Sequence, residues 1–306
     1  MHFRKIRIAL ALVAVAAGAA ALITTPWSNG SKPSSPRAVV DPHAPVHLSK
    51  AQNRRILAAT EAANNSAPQQ ELVAQGRSLF RSTALGRTGE TCNTCHSEGG
   101  ATASVGTINH PRNPTDFTGP RDPLALYDVA DTPPYTWSGN TPTLQAQTVA
   151  VIKNFFKAGA TQPDSVTGQQ AAALIAFMKT IKPPVSPFDT GTMSAAAIRG
   201  ENIFNGKGKC AHCHTGSLFT DLQVHDTGVP KAPGETDPGS KAVPGAFDTP
   251  TLRDIRNTAP YMHNGQVKTL SDVIDFYNNR TIGTDLLNGG LNPQERADLV
   301  EFLKAL

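Results

Sequence analysis

Two five-residue runs constrain this chain of 306 residues more than any other feature. Residues 92–96 read Cys-Asn-Thr-Cys-His, and residues 210–214 read Cys-Ala-His-Cys-His. This C-x-x-C-H spacing is the attachment signal of a c-type haem, whose porphyrin bonds two thiols while the following histidine binds the iron. The two runs use all the cysteines of the chain, so no thiol remains for a disulfide. The sequence therefore predicts two covalently bound haem c groups, held by Cys92, Cys95, His96, Cys210, Cys213 and His214.

Paired cysteines also occur in zinc sites and in redox-active dithiols. A zinc site does not require a histidine directly after each second cysteine. A thioredoxin-like dithiol lies near a β-α-β pattern, and neither run is surrounded by one. Both alternatives are therefore less favoured than covalent haem.

An internal repeat surrounds the two motifs. Gly76 and Phe80 precede the first motif, and Gly200 and Phe204 stand in the same order before the second. Each unit closes with a run of helical apolar spacing, which is typical of a cytochrome c domain whose first and last helices cross closely at a glycine. The closing runs lie at residues 174–181 and 299–306.

We therefore expect an all-α protein with two cytochrome c-like haem domains in tandem. The predicted boundaries are 69–187 for the first domain and 188–306 for the second, after a proline-rich linker that helices cannot cross. A Pro/Ser-rich tether at 28–68 and an export signal or anchor at 1–27 precede them.

The N-terminus predicts where the protein works. Arg4, Lys5 and Arg7 precede an uncharged, alanine-rich run at 8–23, which has the form of a signal peptide or an N-terminal membrane anchor. Either form exports the rest of the chain, so we expect a periplasmic protein, cleaved free or tethered to the inner membrane. These three cations also supply most of the net charge of +4, and no basic stripe for nucleic acid remains.

A series of motifs in both halves carries a resemblance to a known family. The motifs lie at 218–221, His225, 228–230, 247–255, 258–265, 269–270 and 275–277 in the second half, and at 111–115, 137–139, 143–144 and Gln147 in the first. The series resembles the bacterial dihaem cytochrome c peroxidase and MauG superfamily. The resemblance covers about residues 70–306 and is strongest after Gly200.

The resemblance implies a division of labour between the haems. The N-terminal haem has an open face for hydrogen peroxide, and the C-terminal haem accepts electrons from a small cytochrome c or cupredoxin. Trp137 matches the tryptophan between the haems, although a buried core aromatic is the alternative. Gln147 matches a residue of the peroxide pocket. Lys207 and Lys209 are expected either to steer an acidic donor or simply to lie in a solvated loop.

The sixth ligand of the second haem separates the branches of the family, since peroxidases use methionine and MauG-like members use tyrosine. The resemblance places Tyr277 there, with Met262 as the rival. A phenolate stabilises ferric iron and lowers its potential. His263 is expected to lie between or beside the haems without binding iron. His225 is expected to hydrogen-bond a haem propionate or a backbone group and not to bind iron.

The resemblance also implies an interdomain calcium site. The matching residues are Asn113, Thr258 and the Pro260 carbonyl, and hard oxygen ligands suit calcium.

The sequence lacks the glutamate that the peroxidase interpretation requires. Cleavage of peroxide needs a group that moves a proton, but residues 149–157 contain no carboxylate where the family has its glutamate. Asp164 could supply the proton from a remodelled loop, and His110 could instead ligate the first iron. Two hypotheses remain: a peroxide-reacting redox enzyme, and a dihaem electron carrier with both irons six-coordinate. The sequence does not determine the oligomeric state.

Overall fold

In the computed structural model, the described residues are 66–85, 91–97, 108–109, 119–155, 164–279 and 290–306. They belong to one compact unit, Arg54–Leu306, and consist of helices and loops with two short strand pairs in the described part. The helix-rich class is therefore as predicted. The predicted N-terminal signal or anchor lies outside the described residues. No helix within those ranges is long and apolar enough to span a membrane.

Two helices of the first half begin at residues that favour the start of a helix. Pro68 occupies the first turn of the helix that starts at Ala67, and the Thr143 hydroxyl caps a second helix by accepting from the Ala146 N–H. The elements are Ala67–Phe80 (α1), Cys92–Cys95 (α2), Leu144–Ala150 (α3) and Asp164–Met178 (α4), with 3₁₀ turns at Thr83–Leu85 and Val129–Asp131, a π-helix at Val151–Phe155, and the antiparallel strands Ile108–Asn109 (β1) and Pro120–Arg121 (β2).

The second half repeats this order with the same kinds of caps. Thr269 and Asn292 each cap a helix through a side-chain oxygen, and Asn292 forms a capping box with Glu295. The elements are Pro187–Thr190 (α5), Ala195–Asn205 (α6), Leu270–Asn278 (α7) and Pro293–Lys304 (α8), with 3₁₀ turns at Cys210–His212 and Ile255–Asn257 and the antiparallel strands Val224–His225 (β3) and Phe247–Asp248 (β4).

In each half the first and last helices cross at the predicted glycine. A Cβ on Gly76 would lie 1.9 Å from the Ala173 carbonyl oxygen, and one on Gly200 would lie 2.1 Å from that of Asp298. Only glycine permits so close a backbone approach. A phenylalanine pair packs edge to face beside each crossing, with ring centroids 5.2 Å apart for Phe80–Phe177 and 5.1 Å apart for Phe204–Phe302. A separate hydrophobic cluster surrounds each pair.

Replacing Gly200 with alanine is expected to lower the free energy of unfolding by about 3 kcal/mol, because the new methyl meets backbone that cannot turn away. Gly168→Ala is the matched control: it lies in α4 with nothing within 4 Å of the added Cβ, so it should be neutral or stabilising by up to about 1 kcal/mol. Urea unfolding of the haem-loaded protein, followed by circular dichroism, measures both. Equal midpoints for the two variants would contradict the close crossing.

Two turns of the same shape lead into α3 and α7. Each contains a cis X-Pro bond followed by a tyrosine whose backbone bridges to a residue further on, Tyr135 to Thr141 and Tyr261 to Val267. Each then reaches a threonine N-cap after the same number of residues. The two helices are therefore in register, and the position of Tyr277 in the second corresponds to that of Val151 in the first.

The two halves exchange a matched pair of backbone hydrogen bonds. The Asp122 N–H donates to the His263 carbonyl over 3.0 Å, and the Asp248 N–H donates to the Trp137 carbonyl over 2.6 Å. His263 occupies in the second turn the position that Trp137 has in the first, so the two contacts are related by an approximate two-fold. This arrangement brings both turns to the interface between the halves.

Candidate functional site

A cavity of about 1370 Å³ lies between the two halves and is lined by both C-x-x-C-H motifs. Its wall also contains the sequence-predicted residues Trp137, Gln147, Met262 and Tyr277. Asn113, the third proposed calcium ligand, and His110 lie outside the described residues, and nothing is described of the Asp164 side chain. Thr258 and Pro260 do line the cavity.

The first motif is shaped by a short capped helix. Thr91 accepts from the Thr94 N–H, and the Thr94 hydroxyl accepts from the Thr91 N–H, which forms a capping box around α2. Burial raises the pKa of the Cys92 thiol to about 11. Burial also lowers the pKa of His96 to about 4, although the Leu124 backbone opposes this shift. The imidazole is therefore neutral, as an iron ligand must be, and its buried Nδ1 has no hydrogen bond of standard geometry.

The second motif holds its histidine more firmly. His214 Nδ1 lies 2.8 Å from the Phe219 carbonyl oxygen, so this nitrogen carries the proton and leaves Nε2 as the free lone pair. Burial lowers the pKa of His214 and keeps the ring neutral. Burial raises the pKa of Cys210 to about 12, so neither motif presents a preformed thiolate of the kind that zinc requires.

His225 forms a pair with a carboxylate beside the second motif. Its Nε2 lies 2.7 Å from Asp221 Oδ2, and these two groups and Cys213 Sγ place ligand atoms within 4.8 Å of one another. Cys213 is the second cysteine of the haem motif, so a separate metal site would compete with haem attachment. The partner of His225 in the structure is therefore a carboxylate side chain and not a backbone group, and a contact with a haem propionate stays a prediction.

The two opposite walls of the cavity differ. Tyr277 projects from α7 beside Cys210 and Cys213, and burial raises the pKa of its phenol to about 12. On α3 the corresponding position is Val151, which has no atom that can bind iron, and Gln147 lies one turn earlier. The equal spacing of Val151 and Tyr277 from the threonine caps of α3 and α7 is the sequence signal that indicates this difference.

Trp137 and His263 meet at the interface. The Trp137 indole N–H donates to the Asp122 carbonyl over 2.6 Å, and its ring lies edge to face with His263 at 6.5 Å between centroids. His263 in turn stacks on Phe247, 3.7 Å between centroids and 9° between planes. These three rings form a continuous aromatic contact that borders the cavity.

A buried ionic network supports His263 and was not predicted from the sequence. His263 Nε2 lies 2.9 Å from Glu235 Oε1, and Asn264 donates to Glu235 Oε2 over 2.9 Å. Burial lowers the pKa of His263 to about 4, and Glu235 opposes this effect. Burial alone would raise the pKa of Glu235, but the Asn264 and Ala232 donors and the nearby cations lower it overall. A neutral imidazole therefore donates to a carboxylate. Arg121 forms an ion pair with Asp237 from the same loop.

Asp122 is a second residue that the motifs did not indicate. It is buried, lines the cavity, and has a carboxylate Oδ1 with no hydrogen-bond partner. Burial raises its pKa to about 8. Burial also raises the pKa of Tyr261, which directly follows Pro260, and the nearby Asp122 carboxyl adds to that shift. An unpartnered carboxylate oxygen near the Thr258–Pro260 turn fits a hard cation. The Thr258 hydroxyl donates to the Ile255 carbonyl and keeps a lone pair for such an ion.

Of the two lysines before the second motif, Lys207 forms an ion pair with Glu295 at 2.7 Å. Lys209 precedes Cys210 in a left-handed backbone conformation and lines the cavity. Steering of an acidic donor stays a prediction for both.

Comparison with known proteins decides the family. A sequence model described as di-haem cytochrome c peroxidase matches residues 70–170. The chain is 30% identical over 286 residues to the methylamine utilization protein MauG of Methylorubrum extorquens, covering 77% of this chain and 78% of that protein. The chain belongs to the dihaem cytochrome c peroxidase and MauG family.

Two further similar proteins extend the comparison. Cytochrome-c peroxidase IdrP1 of Denitromonas iodatirespirans is 29% identical over 309 residues, covering 76% of this chain and 81% of that protein. A solved structure of Kuenenia stuttgartiensis hydrazine synthase superposes with a TM-score of 0.61 at 28% identity, covering 77% of this chain and 87% of that chain. As a family member, this chain is a dihaem oxidoreductase of the peroxidase and MauG type.

The residues present fit the haem groups that the family implies. Both proximal histidines are neutral and line the cavity, and His214 is oriented by its Nδ1 hydrogen bond. Both cysteine pairs face the same cavity. In this family site, His96 and His214 would hold the irons from the proximal side.

Proposed function

We propose that this chain is a periplasmic dihaem c oxidoreductase that reacts with hydrogen peroxide at the His96 haem and exchanges electrons through the His214 haem. The observation that carries the proposal is the difference between Val151 and Tyr277 at corresponding positions of α3 and α7. Valine would leave the first haem without a ligand from this position, whereas the Tyr277 phenol would give one to the second. Covalent attachment through the four motif cysteines is part of the proposal.

When bound, haem supplies the iron that takes up peroxide and stores the oxidising equivalents. The chain's own residues have separate tasks. Val151 keeps the adjacent space apolar, and the Gln147 amide offers N–H donors and a carbonyl acceptor to an oxygen species beside it. Trp137 lies on the path between the two motifs, with its indole proton held by the Asp122 carbonyl.

The electron carrier is a second candidate, and one observation favours it. Residues 144–155, which follow the cap of α3, contain no carboxylate, so this distal wall has no side chain suited to moving a proton between peroxide oxygens. The Gln147 amide can orient peroxide but is a poor acid or base. We favour the enzyme because an electron carrier would need six ligands on both irons, and Val151, at the position that corresponds to Tyr277, offers none. His110, the other candidate ligand of the first iron, lies outside the described residues.

The other parts of the proposal follow from the site and the N-terminal sequence. A small cytochrome c or cupredoxin is the expected electron partner near Lys209, and calcium is the expected cation near Asp122, Thr258 and Pro260. The basic, then apolar N-terminal sequence supports export to the periplasm, with or without retention at the inner membrane.

Stepwise addition of hydrogen peroxide to the oxidised, haem-loaded full chain tests this proposal. We expect the Soret band of one haem of the two to change and to reach its end point at about one equivalent of peroxide per protein. Peroxide destroyed beforehand with catalase is the control and should cause no change. If peroxide causes no change and both haems are low-spin before its addition, the enzyme proposal is wrong and the electron carrier is the remaining function.

A further inference from the structure

Arg253 has side-chain donors that no residue of the described chain satisfies. Its Nε and Nη1 are buried and have no hydrogen-bond acceptor within the described ranges. The side chain is only 13% exposed, so water does not satisfy these donors either. Buried donors are nearly always paired, and Arg253 lines the cavity that both motifs share. Its acceptor is therefore expected in what the cavity binds.

The guanidinium of Arg253 is held in place from another side. Its Nη2 donates to Asp189 Oδ1 over 2.5 Å, and its Cζ lies 5.9 Å from the centre of the Phe188 ring. Asp189 is fixed in turn, because its Oδ2 accepts from the backbone N–H and the hydroxyl of Ser186. A guanidinium carries five N–H donors, so the ion pair with Asp189 leaves several of them for a second acceptor.

Contacts of its neighbours place Arg253 beside the second motif. The Thr251 hydroxyl donates over 2.7 Å to the carbonyl of the residue before Phe219. The Phe219 carbonyl is the group that lies 2.8 Å from His214 Nδ1. Phe188, which lies under the guanidinium, packs edge to face on Phe219 with ring centroids 5.3 Å apart. The acceptor of Arg253 is therefore expected to belong to the group bound at His214.

We propose that Arg253 binds a propionate of the His214 haem through the donors that Asp189 leaves unpaired. The inference rests on the proposed covalent haem at the second motif. The propionates are the carboxylates of haem, and the guanidinium is well suited to a carboxylate away from water, because it stays charged and presents its donors in a fixed plane.

The corresponding residue of the first half offers no such cation. Tyr127 precedes the Thr143 cap by the same number of residues as Arg253 precedes the Thr269 cap. The Tyr127 hydroxyl donates to Asp254 Oδ2 over 3.0 Å and carries no positive charge. Arg253 therefore places a charge beside the second haem that the first haem does not receive from this position.

Removal of this cation should lower the reduction potential of the second haem. A positive charge beside a propionate offsets its negative charge and so favours ferrous over ferric iron. In Arg253→Gln we expect the reduction equilibrium of the His214 haem to shift about tenfold toward ferric, the size of a lost hydrogen bond between charged groups. For one electron this is about 59 mV. Redox titration of the haem-loaded full chain, followed at the α-band, measures the shift.

Two further variants separate this role from a structural one. Arg256→Gln removes the same charge from an exposed arginine that donates to the Lys304 carbonyl, so it should leave the potential near that of wild type. Asp189→Asn breaks the ion pair but keeps the cation, so the potential should stay at or above that of wild type. If Arg253 served only to hold Asp189, Asp189→Asn and Arg253→Gln would shift the potential in the same direction.

Resonance Raman spectra give a second readout, because the bending mode of a haem propionate moves to lower frequency when a hydrogen bond to it is lost. We expect this band of one haem to move in Arg253→Gln and to stay in Arg256→Gln. Arg253→Lys keeps the cation but not the planar set of donors, so both readouts should lie between those of wild type and Arg253→Gln. It carries the test if Arg253→Gln does not retain haem.

An unchanged potential and an unchanged propionate band in Arg253→Gln, or in Arg253→Lys where only that variant retains haem, would overturn the inference. Failure of the proposed covalent haem is a different result, since the mass of the wild-type chain would then show no attached haem. All these measurements are made without peroxide. A wild type that carries two haems and is inert to peroxide therefore leaves the Arg253 variants to decide this inference by themselves.

Discussion

Replacing Val151 with tyrosine is expected to convert the first haem from high-spin to low-spin and to slow its reaction with peroxide by about 100-fold or more. Val151 and Tyr277 stand at the same distance from the threonine caps of α3 and α7. A tyrosine at position 151 would therefore place a phenol against the first iron, as Tyr277 is proposed to do against the second. Stopped-flow absorbance after mixing with peroxide measures the rate, and electron paramagnetic resonance measures the spin state.

Ala146→Tyr is the matched control for this variant. Ala146 lies on the same helix but is exposed to solvent, so its tyrosine should leave both the spin state and the peroxide rate of the first haem near wild type. If Val151→Tyr reacts as fast as wild type while its first haem stays high-spin, the correspondence between the two distal walls is wrong.

The second large effect is expected at the other haem. Tyr277→Phe removes the phenolate, so the His214 haem should become high-spin and its reduction potential should rise. The rise should be on the order of 100 mV, a fraction of the roughly 0.8 V over which axial ligands set haem potentials. Redox titration followed at the α-band, together with electron paramagnetic resonance, measures both changes.

Tyr261→Phe provides the comparison for Tyr277→Phe. Tyr261 is another tyrosine on the cavity wall, but its hydroxyl donates to the Ile255 carbonyl over 3.1 Å. Its loss should cost about 1 kcal/mol of stability and leave the spin state of the second haem unchanged. A low-spin second haem in Tyr277→Phe would instead favour Met262, the rival ligand, which lies on the same wall in a left-handed backbone conformation.

Features with a local cause could be predicted from the sequence. Each C-x-x-C-H motif could be recognised because it needs only its own five residues. In the structure both motifs line one cavity. The helix crossings at Gly76 and Gly200 followed from the same logic, since the glycine and the phenylalanine four residues later repeat around each motif. The helix-rich class followed from the apolar spacing of the closing helices.

Features that depend on distant contacts could not be predicted in this way. Glu235 and Asp237 lie in a loop rich in glycine and proline, and their partners His263 and Arg121 come from other segments. Asp122 becomes notable only because burial removes its carboxylate from water. The correspondence between Val151 and Tyr277 requires that the turns before α3 and α7 have equal length. The sequence contains both turns, but only their shared geometry in the structure shows that they correspond.

The central claim is that the two irons differ, with the first open at Val151 and the second closed by Tyr277. Low-temperature electron paramagnetic resonance of the resting, fully oxidised, haem-loaded chain tests it most directly. We expect one high-spin and one low-spin ferric signal of equal intensity, with the high-spin signal lost when a small anion such as cyanide is added. Two low-spin signals and no response to the anion would contradict it.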